Sequence, residues 1–491
     1  MVQNDRMRAH DRAPMRYLQI AESIALPIRA GTLTRGERIP SVRELARRHR
    51  VSLGTVLQAY RVLEDSRLIE ARPRSGYFVA ARPPRLPEPE TSAPPTNSMA
   101  VDVSSLAARV MRLAHDPAYI SFGAACPGAD LFAEDRVRRA VSRTAQRHRA
   151  TLTQYTIGSG DESLRRAIAR HALRMGCQLD QRDLVVTNSC LESITLCLRC
   201  VTQPGDVVAL ESPTLFSFLE ILENLHLRAL EIPTHPRSGL SLDALQLACD
   251  TQPVKAVLAV PTLSNPFGAC MPPADRERLA QMAAERGLPL IEDVIYNDLA
   301  EHDEQRRAVR SFDATGHVMI CGSFTKTIAP GLRLGWVDAG RWSTKLASLK
   351  QATSGSQSVM IERALADLLT QPGIESNYRQ MRATIAARVD EARGLIAQHF
   401  PQGTRVTDPP GGFILWVELP RGIDSLALFR GCLEDNIVIA PGTMFSATHH
   451  FRHCIRLGLG GIWDEAHRDA LRRVGSLAAT MLRSSAAAAA H

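Results

Sequence analysis

C-G-S-F-T-K-T-I-A-P-G-L-R-L-G-W, residues 321–336, holds Lys326, one of four lysines in a chain with 55 arginines. Arginine serves almost everywhere this chain uses a plain positive charge. Each lysine is therefore a place to ask what an amine does that a guanidinium cannot. An amine can lose its proton and condense with an aldehyde. Ser323 stands three residues before Lys326 and Arg333 seven after it, with Pro330 and Gly331 turning the chain between them. An amine for an aldehyde, with a hydroxyl and a guanidinium for a phosphate, describes a pocket for pyridoxal 5'-phosphate. Taken alone, the segment also reads as a surface lysine beside a Pro-Gly turn.

Working outward, short apolar runs recur upstream: V-V-T (185–187), V-V-A-L-E (207–211), A-V-L-A-V-P (256–261), L-P-L-I-E-D (288–293) and V-M-I-C-G-S (318–323). Amphipathic stretches separate them, which predicts a mainly parallel sheet wrapped by helices, an α/β fold. Polar residues follow the strand ends, where open α/β sheets place their ligands. Asp293 closes one strand, with Tyr296 three residues on, and Asn265 opens N-P-F-G after another. An acid facing a pyridine nitrogen keeps it protonated, and an amide and a phenol can hold a phenolate oxygen. Singly, such residues are ordinary turn and cap formers.

Together with Lys326 they resemble the fold-type I pyridoxal phosphate enzymes of the aspartate aminotransferase class. Y-T-I-G-S-G-D-E-S-L-R (155–165), T-N-S-C-L-E-S (187–193), P-G-D-V-V-A-L-E-S-P-T (204–214), E-D-V-I-Y (292–296), G-G-F-I-L-W-V-E-L-P (411–420) and I-R-L-G (455–458) carry the likeness. The resemblance implies that Lys326 bonds the cofactor aldehyde, Asp293 pairs with the ring nitrogen, and Asn265 and Tyr296 hold the phenolate oxygen. It implies phosphate binding by Ser323, Arg333 and the backbone amides of Ser189 and Cys190 at a helix N-terminus. Tyr155 is implied to reach the phosphate of a neighbouring subunit, and Arg456 to clamp an effector carboxylate. A small C-terminal α+β subdomain is implied as well. Two positions depart from the family. Ser189 stands where glycine is usual, so a Cβ is expected to restrict the phosphate turn. Leu215 stands where a ring-stacking aromatic is usual, with Phe216 next to it as the expected substitute.

The N-terminal sixth has a different character. Residues 1–80 hold 15 arginines, no lysine and 8 acidic residues, a net +7 against +8 for the whole chain. A basic module on a near-neutral body points to nucleic acid. Tyr17, Ile20, Ile24 and Ile28 lie at helical spacing over 15–33, with Pro27 expected to bend or shorten that helix. Ser41 and Ser52 are N-cap residues for two further helices. The second buries Val56, Ala59 and Leu63 and exposes Thr55, Gln58 and Arg61. L-I-E-A-R-P-R-S-G-Y-F-V (68–79) reads as two strands around a turn, a wing that presents Arg72 and Arg74. The module resembles the winged helix-turn-helix of GntR-type regulators through G-x-x-x-x-G-E-R-I-P-S-V-R-E-L-A (31–46), V-S-x-x-T-V-x-x-A-Y-R-x-L (51–63) and R-S-G-Y-F-V (74–79). That resemblance implies DNA contacts from Arg43, Ser52, Thr55 and Arg61, with Arg61 and the wing arginines on phosphates.

Residues 81–100 include six prolines with residue 80 as flank, and they read as an extended linker between a DNA-binding domain (1–80) and an effector domain (101–491). No apolar run approaches a membrane span, and the N-terminus shows no apolar leader segment, which predicts a cytoplasmic protein. Of ten cysteines only Cys197 and Cys200 fall at C-x-x-C spacing, without a second pair, so no metal site is expected. The combination resembles the MocR subfamily of GntR-type regulators. It implies a head-to-tail homodimer that binds double-stranded operator DNA and senses an amine, an amino acid or pyridoxal phosphate itself. An aminotransferase with an accessory DNA-binding module is the alternative. The C-terminal S-S-A-A-A-A-A-H reads as a tail without chemistry.

Overall fold

A computed structural model of the chain describes residues 16–29, 32–34, 36–65, 68–72, 75–80, 86–101 and 105–489. The chain forms two compact units, 1–85 and 86–491.

In the first unit, α1 (Arg16–Arg29), α2 (Val42–His49) and α3 (Leu53–Asp65) precede a hairpin of β1 (Ile69–Arg72) and β2 (Gly76–Val79). Pro27 ends α1 within a turn, and its carbonyl accepts the amides of Thr32 and Leu33 at 2.9 and 3.1 Å. Ser41 caps α2 by accepting the Glu44 amide at 3.3 Å. Ser52 caps α3 by accepting the Thr55 amide at 3.1 Å. The core joins Ile20, Ile24, Leu45, Val56, Ala59, Leu63 and Val79. Tyr60 is buried among them. Its hydroxyl donates to the Pro40 carbonyl, and its ring meets Tyr77 edge-on at 4.6 Å. The wing is thereby keyed to α3 through an aromatic pair.

The strands of the second unit begin with β3 (Met99–Ala100), β4 (Ile120–Ser121), β5 (Leu184–Thr187), β6 (Val207–Ser212), β7 (Arg228–His235) and β8 (Gly239–Leu240). β9 (Val254–Ala259), β10 (Leu290–Asp293), β11 (Val318–Ser323) and β12 (Gly335–Asp338) follow. The main sheet runs β3-β7-β6-β9-β10-β11-β12-β5, with β8 beside β7. Pairing is parallel from β7 to β11, while β12 lies antiparallel to both β11 and β5. The central strands are buried on both faces, which is why they read as unbroken apolar runs. The helix Ile374–His399 leads to a four-stranded sheet of Arg405–Val406, Ile414–Glu418, Cys454–Gly458 and Ala440–Pro441. The pair Ile437–Val438 with β4 ties this smaller sheet region to residues near 120.

Of the extended linker expected over 81–100, residues 81–85 lie outside the described residues. Residues 86–100 lie along the large unit. Val406 donates to the Pro87 carbonyl at 2.9 Å, the Ser92 amide donates to Thr234 at 3.1 Å, and β3 pairs with β7. Arg237 and Arg405 also hold Glu88 and Glu90. The prolines do give an extended chain, and several of its amides and carbonyls are met by backbone and side-chain groups of the large unit. Among the described residues no helix is long and apolar enough to cross a membrane, and no group of three or more His, Cys, Asp or Glu side chains is placed to hold a metal ion.

Candidate functional site

Strand register assembles the pocket. Asp293 lies opposite Cys321, Ser323 opposite Gly335, and Gly335 opposite Thr187, so the ends of β10, β11, β12 and β5 form one row. The residues that leave these ends converge there. Lys326 Nζ donates to the Ala125 carbonyl at 2.6 Å and lies 3.5 Å from Cys126 Sγ. Asp293 Oδ1 accepts the Ile295 amide at 2.9 Å and the Cys190 thiol at 3.2 Å. Burial pushes the Asp293 carboxyl up to about 6, against the pull of those two hydrogen bonds and of the Lys326 cation. Asn265 Nδ2 donates to the Tyr296 hydroxyl at 3.3 Å. Burial also raises the Tyr296 phenol, with Lys326 and Asn265 opposing.

Arg456 is 1 % exposed, on the strand Cys454–Gly458. Its guanidinium donates to Asn265 Oδ1 at 3.4 Å and to the Gly123 carbonyl, and it lies 5.2 Å from the Phe445 ring centroid. Its Nε has no partner. Among the described residues no acidic side chain pairs with it. Burial pulls its pKa down to about 10, so it stays charged at neutral pH.

The turn expected to bind phosphate joins β5 to the helix Cys190–Val201. Ser189 has φ −168°, an extended conformation open to any residue, so the expected restriction by its Cβ does not arise. Ser189 instead caps the helix Cys190–Val201, its hydroxyl accepting the Glu192 amide at 3.2 Å. Gly335 sits directly against this turn: a Cβ there would lie 2.4 Å from the Ser189 carbonyl carbon. Ser323 Oγ accepts the Thr325 amide at 3.1 Å and donates to the Leu334 carbonyl at 2.9 Å. Arg333 is exposed, with φ 51°. Phe216 is buried with its ring 6.2 Å from Phe445, in the aromatic group around Arg456. Tyr155 is 84 % exposed and so is not gathered into the pocket of its own chain.

These residues fit pyridoxal phosphate. The buried guanidinium with a free Nε, the buried acid beside an amine, and the glycine-lined helix N-terminus are the donor set that the cofactor and an amino acid require. Sequence reasoning missed the segment 123–126, which supplies the carbonyl partners of Arg456 and Lys326. Its signal was Gly458, whose Cβ would stand 1.9 Å from the Ala124 carbonyl oxygen. Only glycine permits that approach. The Cys190 thiol on Asp293 was also missed, since only the backbone of Cys190 was expected to act.

One consequence is measurable without ligand. A carboxyl lifted from 3.8 to about 6 lowers stability as pH rises through that interval, by roughly 3 kcal/mol once pH exceeds 6. Asp293→Asn has no such dependence. The variant's unfolding free energy relative to wild type is expected to rise between about pH 4 and 7 in cofactor-free protein. A pH-independent difference in urea melts contradicts this.

On the first unit, Arg43, Ser52 and Arg61 are exposed on or beside α2 and α3, and Thr55 is half-buried with its hydroxyl 2.9 Å from Ser52 Oγ. Arg72 is half-exposed, paired with Glu70 at 2.8 Å and stacked 4.4 Å from the Phe78 centroid. Arg74 lies outside the described residues.

The chain matches the family described as aminotransferase class I and II over residues 128–473, and the family of bacterial regulatory proteins, gntR, over residues 16–79. It is 34% identical over 460 residues to the uncharacterized HTH-type transcriptional regulator YjiR of Escherichia coli (strain K12), covering 94% of this chain and 98% of that one. The regulator YdcR of the same organism is 31% identical over 94% of this chain and 98% of its own. Among solved structures, the alpha-aminoadipate aminotransferase LysN of Thermus thermophilus, complexed with N-(5'-phosphopyridoxyl)-L-leucine, superposes with a TM-score of 0.70. It is 25% identical and covers 76% of this chain and 95% of that one.

Proposed function

Because the chain belongs to the GntR-type regulators that carry an aminotransferase class I and II domain, the MocR subfamily, we propose that it is a cytoplasmic transcriptional regulator. It binds duplex operator DNA through the winged helix and reads an amino acid through a pyridoxal phosphate pocket. The observation that carries this is the buried, acid-free Arg456 guanidinium in the same pocket as Lys326, on a chain that also bears an open recognition helix. An unpaired buried cation costs free energy until an anion reaches it, and an amino acid brings a carboxylate and an amine together.

When bound, the cofactor supplies an aldehyde that bonds one amine at a time. Lys326 would hold that aldehyde, and in the free protein its amine rests on the Ala125 carbonyl. Asp293 keeps a proton at the ring nitrogen. Asn265 and Tyr296 hold the phenolate oxygen, and Ser323, Arg333 and the amides at Ser189 and Cys190 hold the phosphate. Phe216 supports the aromatic wall beside Arg456, and Tyr155 serves the pocket of a second copy in a head-to-tail homodimer. Arg456 takes the effector carboxylate and draws its strand toward the pocket. Closure of the smaller sheet region biases which half-site spacing the tethered winged helices reach.

On DNA, Arg43, Ser52, Thr55 and Arg61 serve the recognition face, and Arg72 and Arg74 the wing. Arg43→Ala and Arg61→Ala are each expected to weaken operator binding by roughly 1–3 kcal/mol. For a phosphate contact the log–log salt slope also falls by about 1. Fluorescence anisotropy across a salt series, with and without a panel of amino acids, tests both halves. Unchanged affinity and slope in both variants refute the DNA face. Affinity and footprint indifferent to every amino acid refute the sensing role.

A further inference from the structure

A cavity of about 630 Å³ opens between the helices Glu134–Arg147, Glu162–Ala172 and Val359–Thr370, apart from the residues around Lys326. Its floor is made of small buried side chains, Thr144, Ala167 and Ala366. Its walls carry five arginines and three acids. Three arginines are neutralised. Arg143 pairs with Asp367 at 2.6 Å, Arg166 with Glu162 at 2.5 Å, and Arg363 with Asp161 at 2.8 Å. Among the described residues the exposed side chains of Arg147 and Arg170 have no hydrogen-bond or ion-pair partner, so two positive charges stand uncompensated in one concavity.

His148 adds a neutral donor. Arg363 Nη1 donates to His148 Nδ1 at 3.1 Å, and a guanidinium can only donate. Nδ1 therefore carries the lone pair and Nε2 carries the proton. Arg363 holds His148 with one nitrogen and Asp161 with another, and these two residues are the ends of the loop 149–160. That loop bears Tyr155 and Ile157, which are 84% and 76% exposed.

We propose that this cavity binds a phosphate-bearing small molecule of about nucleotide size, gripped by Arg147, Arg170 and His148 at the base of the Tyr155 loop. Guanidinium forks match phosphate oxygens, and an imidazole N–H adds a third donor. The volume falls in the ~300–1,000 Å³ range of small-molecule sites, and the alanine floor accepts a flat apolar body beside the phosphate. A ligand that spans both loop ends fixes where the loop starts and finishes, and so where Tyr155 is presented. Binding rests on the cavity alone and stands or falls independently of the proposed regulatory function.

Titration of ATP into the full-length protein by isothermal calorimetry, without magnesium and at low ionic strength, tests the site. Saturable binding is expected, with pyrophosphate competing for it. Arg147→Ala with Arg170→Ala is expected to weaken binding about tenfold or more, at unchanged melting temperature. Ser323→Ala with Arg333→Ala is expected to leave it unaltered. Absence of saturable heat overturns the proposal, as does loss of binding in the Ser323/Arg333 variant rather than in the Arg147/Arg170 variant. A double arginine variant that weakens only a random-sequence DNA duplex, and not ATP, overturns it too, because the phosphates would then be those of a nucleic-acid backbone.

Discussion

Lys326→Ala is expected to abolish covalent retention of pyridoxal phosphate. Wild-type protein incubated with the cofactor and reduced with borohydride gains the mass of one reduced adduct per chain, and the variant gains none. The other three lysines are poor substitutes. Lys345 Nζ is engaged by the Cys200 carbonyl at 2.7 Å, Lys350 is 2% exposed with its amine on the Gly355 carbonyl, and Lys255 is the second residue of β9, at the strand end away from the pocket row. Lys326 itself bonds a backbone carbonyl and a thiol, and without it Asp293 keeps its Ile295 amide and Cys190 thiol partners, so the fold persists. The variant is expected to bind operator as tightly as wild type without effector and to show no response when effector is added. An adduct of equal yield in Lys326→Ala, mapped to another lysine by peptide mass, contradicts the assignment. Retained effector response without an adduct separates sensing from the covalent step.

Local signals in the sequence predicted the winged helix well. Ser41 and Ser52 are caps whose hydroxyls accept the amides expected of them, and the apolar spacing of Val56, Ala59 and Leu63 reports a buried face directly. Tyr60 was not legible as core, because its burial depends on the Pro40 carbonyl and the wing residue Tyr77, both distant in sequence. The strands of the large unit were visible as apolar runs, displaced by about two residues at β9, since hydrophobicity marks burial rather than pairing. The antiparallel turn of β12 carries no such mark. Residues 86–100 misled for a related reason. Their prolines specify extension, but nothing local tells whether an extended chain lies in water or along a sheet edge. At Ser189, the backbone angle removed a constraint that residue type alone implied. The thiol of Cys190 on Asp293 joins residues 103 positions apart, a contact that composition cannot report.

Arg456 yields the second large effect, and it separates effector classes. Its guanidinium is buried without an acid, held by an amide oxygen, one carbonyl and the face of Phe445. Those partners keep the arginine in place but leave its charge uncompensated, so the free protein bears a desolvation cost that a ligand carboxylate relieves. Arg456→Met retains much of the apolar stem and removes the charge. Its melting temperature is expected to equal or exceed that of wild type, because a buried unpaired cation is lost. Affinity for amino acids is expected to fall by about 3 kcal/mol, roughly a hundredfold, the scale of truncating one partner of a buried charged pair. Amines without a carboxylate gain nothing from Arg456, so their binding is expected to change little. Spectral titration of cofactor-loaded protein with an amino acid and its decarboxylated amine reads both. If the two ligands lose affinity equally, Arg456 is a structural cation. If only the amino acid is lost, the pocket recognises a carboxylate, and the effector is an amino acid rather than a simple amine.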